Sequence, residues 1–143
     1  YVALSYTWGD ATSRREITVN GKPAYITENL HAALTHILGL KGLLSALIKE
    51  SCKYYLWIDA LCINQQDPAE KFVQVANMRD VFANAQWVVA WMGPAADGSD
   101  ELLRDINAHS PSSDSGEQMQ FPPAELQAFF SREWFSRMWI LQE

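Results

Sequence analysis

The stretch YLWIDALCINQQD, residues 55–67, decides how this chain is read. Tyr55, Leu56, Trp57 and Ile58, with Tyr54 before them, suit a buried strand, and Asp59 follows at once. A cluster of small polar groups comes next: Cys62, Asn64, Gln65, Gln66 and Asp67. A turn leading into a helix cap would account for them. So would the rim of a crevice, because open parallel sheets place their ligands beyond the carboxyl ends of the strands. Either way the pattern predicts a strand over 54–58 with Asp59 at its carboxyl end.

Towards the C-terminus, Asp67-Pro68-Ala69-Glu70 is a helix start, with Asp at the N-cap, Pro at N1 and Glu at N3, a set that satisfies free amide donors and suits the positive end of the helix dipole. The helix is expected to run to about Ala85 and to bury Phe72, Val75, Met78, Phe82 and Ala85. QWVVAWMG (86–93) then reads as a strand apolar enough for burial on both faces, closed by Gly93-Pro94.

Towards the N-terminus, YVALSY (1–6) alternates weakly and runs into TWGD (7–10), a short strand ending in a glycine turn. REITVNGKPAYIT (15–27) is a hairpin about Asn20-Gly21, the pair that best tolerates the positive φ of a type I′ turn. Thr27 can cap a helix whose apolar stripe is Leu30, Ala33, Leu34, Ile37 and Leu38. Gly39 and Gly42 interrupt it before a second helical piece, LLSALIKES (43–51). Past Gly93, residues 94–122 read as a loop-rich insertion with a short helix near 100–108, and 123–143 return to helical spacing.

Strand, helix, strand, helix, strand implies an α/β fold with a parallel sheet of at least three strands (1–6, 54–58 and 87–92), right-handed crossovers, flanking helices and an inserted β-hairpin. The 143 residues, 48% hydrophobic and 20% charged, are enough for one core, and a single domain over 1–143 is expected. A net charge of -6 with scattered Lys and Arg argues against nucleic acid as the partner. No apolar run reaches the length of about 18 residues that a membrane span needs. Cys52 and Cys62 have no metal-ligand spacing and fall on opposite ends of the 54–58 strand, which fits reduced thiols in an intracellular protein. The abrupt ends suggest a domain excised from a larger protein.

Three separated blocks, YVALSYTWGD (1–10), LWIDALCINQQDPAEKFVQVANMRDVFANAQWVVAWMG (56–93) and WFSRMWILQE (134–143), together closely resemble the heterokaryon-incompatibility (HET) domain of filamentous fungi. That resemblance implies a cytoplasmic domain that triggers cell death when genetically different fungal cells fuse. It also implies recognition or oligomerisation domains in the parent protein and self-association on activation.

A more distant likeness carries more chemistry. YVALSYTWGDAT looks like the opening of Toll/interleukin-1 receptor (TIR) domains, LWIDA is similar to their second strand and QWVVAWMG to their third. SRMWILQE resembles the TIR block Ser-x-Trp-Cys-x-x-Glu, whose glutamate is catalytic in members that cleave NAD. The overlay puts Trp139 at the tryptophan and Glu143 at the glutamate. It departs from the pattern at Ile140, which stands where TIR domains have cysteine, at Ser136, one residue further from its tryptophan, and at the Asn20-Gly21 hairpin, which has no usual counterpart. The implied architecture is a TIR-like, flavodoxin-like parallel sheet that would continue beyond the glutamate with two more strands.

On this resemblance Glu143 is the candidate catalytic carboxylate, because breaking the nicotinamide–ribose bond passes through an oxocarbenium-like state that a nearby carboxylate stabilises. NAD would then be substrate, and no cofactor is required. A helix-surface glutamate is the plain alternative. Asp59, Asn64 and Gln65 could meet the ligand or organise their own loop. Tyr6, Trp8, Gly9 and Asp10 would face the same crevice, where an aromatic ring could stack on a base. Trp139 completes the candidate substrate-binding set. Arg79 and Arg137 could meet a pyrophosphate, although Arg79 could equally pair with Asp80. His31, His36 and His109 have no ligand spacing, and no metal site is expected. A non-enzymatic signalling module acting through domain contacts is the rival reading.

Overall fold

The computed structural model describes residues 1–39, 55–108 and 122–137. Three parallel strands form the sheet, in the order β4-β1-β5, with β1 Val2–Tyr6, β4 Leu56–Trp57 and β5 Trp87–Trp91. β1 pairs with β4 through Val2↔Leu56 and Ala3↔Trp57, and with β5 along its whole length from Val2↔Trp87 to Tyr6↔Trp91. The expected α/β parallel sheet is therefore present. Its order is that of the first three strands of a flavodoxin-like sheet, in which the chain winds first to one side of β1 and then to the other.

Every residue of β1 is buried. Leu4 and Tyr6 join Ile26, Leu30, Ala33, Ile37, Ile58 and Trp91 in the larger core, while Ala3 packs with Met78 and Phe82 in a second cluster. Alternate side chains of a strand point to opposite faces, so β1 is covered on both. The weak alternation of its sequence follows from that position: a central strand with two dry faces has no solvent face to mark with polar residues.

Helix α1, Glu28–Gly39, covers the Leu4 and Tyr6 face. It starts where Thr27 was expected to cap it, with Leu30 N donating to Thr27 Oγ1 at 3.4 Å. Leu30, Ala33 and Ile37 are buried and Leu34 packs beside them, but Leu38 is exposed at the end of the stripe. The hairpin, β2 Arg14–Val19 and β3 Lys22–Thr27, stands as a separate two-stranded sheet. Asn20 and Gly21 turn it with φ of 51° and 77°, both positive as a type I′ turn requires. Ile17 and Ile26 bring it onto the α1 core.

The segment after Asp59 departs from the sequence reading. A single turn, α2 Asp59–Cys62, precedes α3 Pro68–Ala76 and α4 Met78–Ala83. The one long helix expected to about Ala85 is thus broken at Asn77, whose amide reaches back to the carbonyls of Val73 and Gln74. The break matters for packing. Met78 and Phe82 turn onto the sheet, with the Phe82 ring edge-on to Trp57 at 5.6 Å, whereas Phe72, expected in the core, is 78% exposed on α3. The start of α3 follows its capping residues: Asp67 Oδ1 accepts from Ala69 N at 2.9 Å and Glu70 N at 3.2 Å. Glu70 does not return to the cap amide; its Oε1 accepts from Asn64 N at 3.0 Å and so pins the loop before the helix.

β5 was expected to be buried on both faces and is not. It is one of two edge strands of the described sheet, with Val89 and Trp91 on the α1 core and Val88 and Ala90 exposed opposite. The cause is the position of α4, which sits over β1 and β4 through Ala3 and Trp57. Beyond β5 come α5 Ser99–Ala108, matching the short helix expected near 100–108, α6 Pro123–Phe130 and a 3-10 turn, Glu133–Ser136. The helical spacing of 123–143 therefore breaks at Ser131. The helical piece expected over 43–51, Cys52 and His109 lie outside the described residues. Among the described residues no helix is long and apolar enough to cross a membrane.

The cap carries a test. Asp67→Ala is expected to cost about 1 kcal/mol of stability by urea denaturation, and Asp67→Asn close to nothing, since a side-chain oxygen at the N-cap is what the two amides need.

Candidate functional site

Asp59 follows the shortest strand and is met by the end of the central one. Tyr6, the last residue of β1, donates its hydroxyl to Asp59 Oδ1 at 2.8 Å, and Trp8 Nε1, two residues on, donates to Oδ2 at 2.7 Å. Ala60 N adds a donor to Oδ1 at 2.7 Å. A half-buried carboxylate needs donors in place of the water it loses, and here they fasten the carboxyl end of β1 to that of β4. The same arrangement holds Tyr6 neutral. Burial of its ring, first, and the facing Asp59 charge, second, push its hydroxyl well above the ordinary phenol range.

Beside this tie lies a cleft of about 440 Å³ lined by Trp8, Asp59, Gln65, Lys71 and Arg137, with Ile63, Val75 and Met78 as its apolar wall. Lys71 Nζ stands over the Trp8 ring at 6.0 Å from its centroid. Gln65 Nε2 donates to the Asp59 carbonyl at 2.9 Å, which sets the orientation of the amide and leaves the buried Oε1 without a hydrogen-bond partner among the described residues. Arg137 donates to Ser5 Oγ at 3.1 Å, and Trp134 Nε1 donates to the same oxygen at 2.8 Å. Ser5 is fully buried, so the single hydroxyl on the α4 face of β1 anchors the 134–137 segment across the end of the sheet.

A second cleft, about 420 Å³, opens on the other side of the 7–9 loop, between the ends of β1 and β5. This is where the winding of the sheet reverses, the usual ligand crevice of such folds. Thr7, Gly9, Gly93, Asp97, Glu133 and Trp134 are among the residues lining it. Two side chains build its walls. Asn29 Nδ2 donates to Thr7 O at 2.6 Å and its Oδ1 accepts from Trp91 Nε1 at 3.0 Å, joining α1 to both strand ends. Arg132 donates to the carbonyls of Met92, Pro94 and Ala96 at 3.2, 3.3 and 3.0 Å, so the loop after β5 curls around its guanidinium. Gly9 has φ +68°, and a Cβ there would stand 3.2 Å from Asn29 Cβ, so the close approach of the loop to α1 depends on glycine.

Of the residues singled out from sequence, Trp8, Asp59, Gln65 and Arg137 come together at the first cleft, Gly9 lines the second, and Tyr6 lines neither but holds Asp59 from below. Asp10 and Asn64 line neither: Asp10 holds its own loop by accepting from Thr12 N and Thr12 Oγ1 at 2.8 and 2.7 Å, and Asn64 Oδ1 accepts from Gln66 N at 3.1 Å. Arg79 is exposed on α4 and also lines neither cleft, which removes it from any phosphate site there. Trp139 and Glu143 lie outside the described residues. Among the described residues no group of three or more His, Cys, Asp and Glu could hold a metal ion, and Cys62 is an exposed free thiol.

Lys71, Ser5, Asn29 and Arg132 were not anticipated. Ser5 carried a signal, being the one small polar side chain inside an apolar strand. The others did not, since their partners lie far away along the chain.

Two measurements check the tie. Tyr6 keeps its proton in the folded state at pH values where the unfolded chain releases it. Stability from this group is therefore fully present below about pH 10 and falls as pH climbs beyond, by at most about 1.4 kcal/mol per pH unit. Tyr6→Phe is expected to flatten that alkaline loss in urea midpoints taken between about pH 9 and 11. Asp59→Asn turns one acceptor oxygen into an N–H facing donors and is expected to cost about 1–3 kcal/mol, with a shift in tryptophan emission if the amide nitrogen takes the place that accepts from Trp8.

Comparison with known proteins identifies the family. The profile of the family described as "Heterokaryon incompatibility protein (HET)" matches residues 1–143. "Heterokaryon incompatibility protein 6, OR allele" of Neurospora crassa is 39% identical over 111 residues, covering 72% of this chain but only 16% of that protein. No solved structure matches. With the profile spanning the whole chain and a relative of this identity, the chain belongs to the heterokaryon-incompatibility (HET) family.

Proposed function

We propose that this chain is the effector part of a fungal heterokaryon-incompatibility protein and that it hydrolyses NAD, or a closely related nucleotide, when parent proteins cluster. One observation carries the reading: Trp8, Asp59, Gln65, Lys71 and Arg137, drawn from four separate stretches, converge on one cleft beyond the carboxyl ends of a parallel sheet. Lys71 and Arg137 supply positive charge for a diphosphate, with Trp8 as an aromatic wall. Asp59, already holding three donors, acts as a positioning residue that fixes Tyr6 and Trp8.

The reaction balances without a cofactor. The C–N bond between ribose and nicotinamide breaks and its electron pair goes to the ring nitrogen, which becomes neutral. Water adds to the anomeric carbon and releases one proton, giving nicotinamide and ADP-ribose. Glu143 is the carboxylate proposed to stabilise the cationic ribose in between. Control by clustering fits the chemistry, since unregulated loss of NAD would kill the cell that makes the protein. Recognition and oligomerisation domains of the parent protein are the proposed partners.

A second reading, a non-enzymatic module that passes on a death signal by domain contacts, draws on the exposed apolar side chains Phe72, Trp87, Val88 and Phe130. Nicotinamide release from NAD by the clustered full-length protein separates the two. Wild type is expected to release it, and Glu143→Gln and Glu143→Ala to lose about a hundredfold or more, as for removal of one transition-state-stabilising group. No release from a death-competent preparation, with both variants still killing cells, establishes the contact module instead.

A further inference from the structure

Helix α3 has two faces, and the apolar one points to water. At about 100° per residue, Glu70, Lys71, Gln74 and Val75 fall on one side of Pro68–Ala76, and Ala69, Phe72, Val73 and Ala76 on the other. The first side faces the protein: Val75 packs on the Met78 and Phe82 cluster, Lys71 and Val75 line the cleft beside Asp59, and Glu70 holds Asn64 N. All four residues of the second side are exposed, Phe72 at 78% and Val73 at 53%. The helix therefore carries a continuous apolar strip on the side that does no packing among the described residues. Arg79, just beyond this helix, is also unused: it is exposed, lines neither cleft and has no ion pair among the described residues.

We infer that the strip is the contact through which two copies of this chain pair, α3 against α3 in antiparallel sense, about a two-fold axis passing between Phe72 and Val73. The order of side chains selects a second copy: small, large, large, small, the same from either end. A two-fold contact must be complementary to itself, and reversing this strip onto its copy sets Phe72 against Phe72, Val73 against Val73 and Ala69 against Ala76. The alanines at both ends leave room for the helices to approach to about 8–10 Å. Charge agrees with the antiparallel sense. Both capping amides use Oδ1 of Asp67, which leaves Oδ2 at the amino end of each helix for the Arg79 that stands, with Asp80 beside it, past the carboxyl end of the other. The two helix dipoles are opposed as well. Four side chains cover far less than the roughly 800 Å² per partner of a stable interface, so the contact is weak and fills only where copies are already gathered. It deepens the clustering step of the proposed function and leans on none of its nucleotide chemistry.

Disulfide trapping in the clustered full-length protein tests it. Cys62→Ser removes the exposed native thiol, and Val73→Cys then places a thiol beside its own counterpart, within the Cα separation of about 4.4–6.8 Å that a disulfide spans. Mild oxidation is expected to give a peptide joined 73 to 73, identified by mass spectrometry, and Arg104→Cys, exposed on α5, is expected to give no such product. Phe72→Ala is expected to lower the yield about tenfold or more, as for truncation at the centre of an interface. Arg79→Glu is expected to lower it about threefold, in the range of an exposed ion pair. Both side chains are exposed, so melting curves are expected to stay unchanged in both variants. Position 73 joined to a different stretch of the protein makes the strip a seat for an internal partner and overturns pairing between copies. No product at 73 overturns it too, as does a Phe72→Ala protein trapped as readily as one that keeps the phenylalanine. Nicotinamide release from NAD, followed in parallel, keeps the two proposals apart. Release without the 73–73 product removes the pairing surface and keeps the hydrolase, whereas the product without release does the opposite.

Discussion

A carboxylate that leaves bulk water must be met by donors, and Asp59 finds them on a neighbouring strand and the loop beyond it. Tyr6 and Trp8 reach it from more than fifty positions away along the chain, one to each oxygen. That double contact sets the height of the 7–10 loop above the sheet, and the loop in turn divides the space beyond the strand ends into two clefts. β4 contributes only two residues to the ladder. The hydrogen bonds of Asp59 do what a longer ladder would otherwise do, holding the end of β4 against β1.

The central strand makes this arrangement rigid. β1 is dry on both faces, with α1 and the hairpin on one and α4 on the other. The exception is chemical: Ser5, buried among apolar neighbours, spends its hydroxyl on Trp134 and Arg137 and so brings the segment after α6 to the same end of the sheet. Asn29 and Arg132 complete the frame by tying α1 and the loop after β5 to the strand ends. Four polar side chains, each joining segments distant in sequence, thus hold the strand ends and loops that border the two clefts. Such networks resist rearrangement because each lost bond leaves a polar atom short of a partner.

Much of this could be read from the residues. The Asn20-Gly21 turn, the Thr27 and Asp67 caps, the three strands and their parallel sense all follow from local rules, and they stand where those rules put them. The placement of Asp59 at a strand end followed in the same way. Three readings did not survive, and for one shared reason. The helix from 68 breaks at Asn77, the helical spacing after 123 breaks at Ser131, and β5 lies at an edge with Val88 exposed. In each case the local pattern permits a longer or more buried element, and packing elsewhere decides otherwise: Met78 and Phe82 must turn onto Ala3 and Trp57, Arg132 must leave the helix to grip the loop after β5, and α4 sits over β1 and β4. Arg79 is exposed and lines neither described cleft, while Lys71, unremarked in the sequence, reaches over Trp8.

The amino-acid sequence alone determined the element types, the parallel sheet, the family and the polar cluster at the end of the second parallel strand, because propensity, capping and hydrophobic period act over a few neighbouring residues. Only the tertiary structure decided that the cluster serves first as a tie, that Asn64 and Asp10 face their own loops, and that two clefts adjoin where one was expected. Those outcomes depend on distances between side chains tens of positions apart, which no local rule contains.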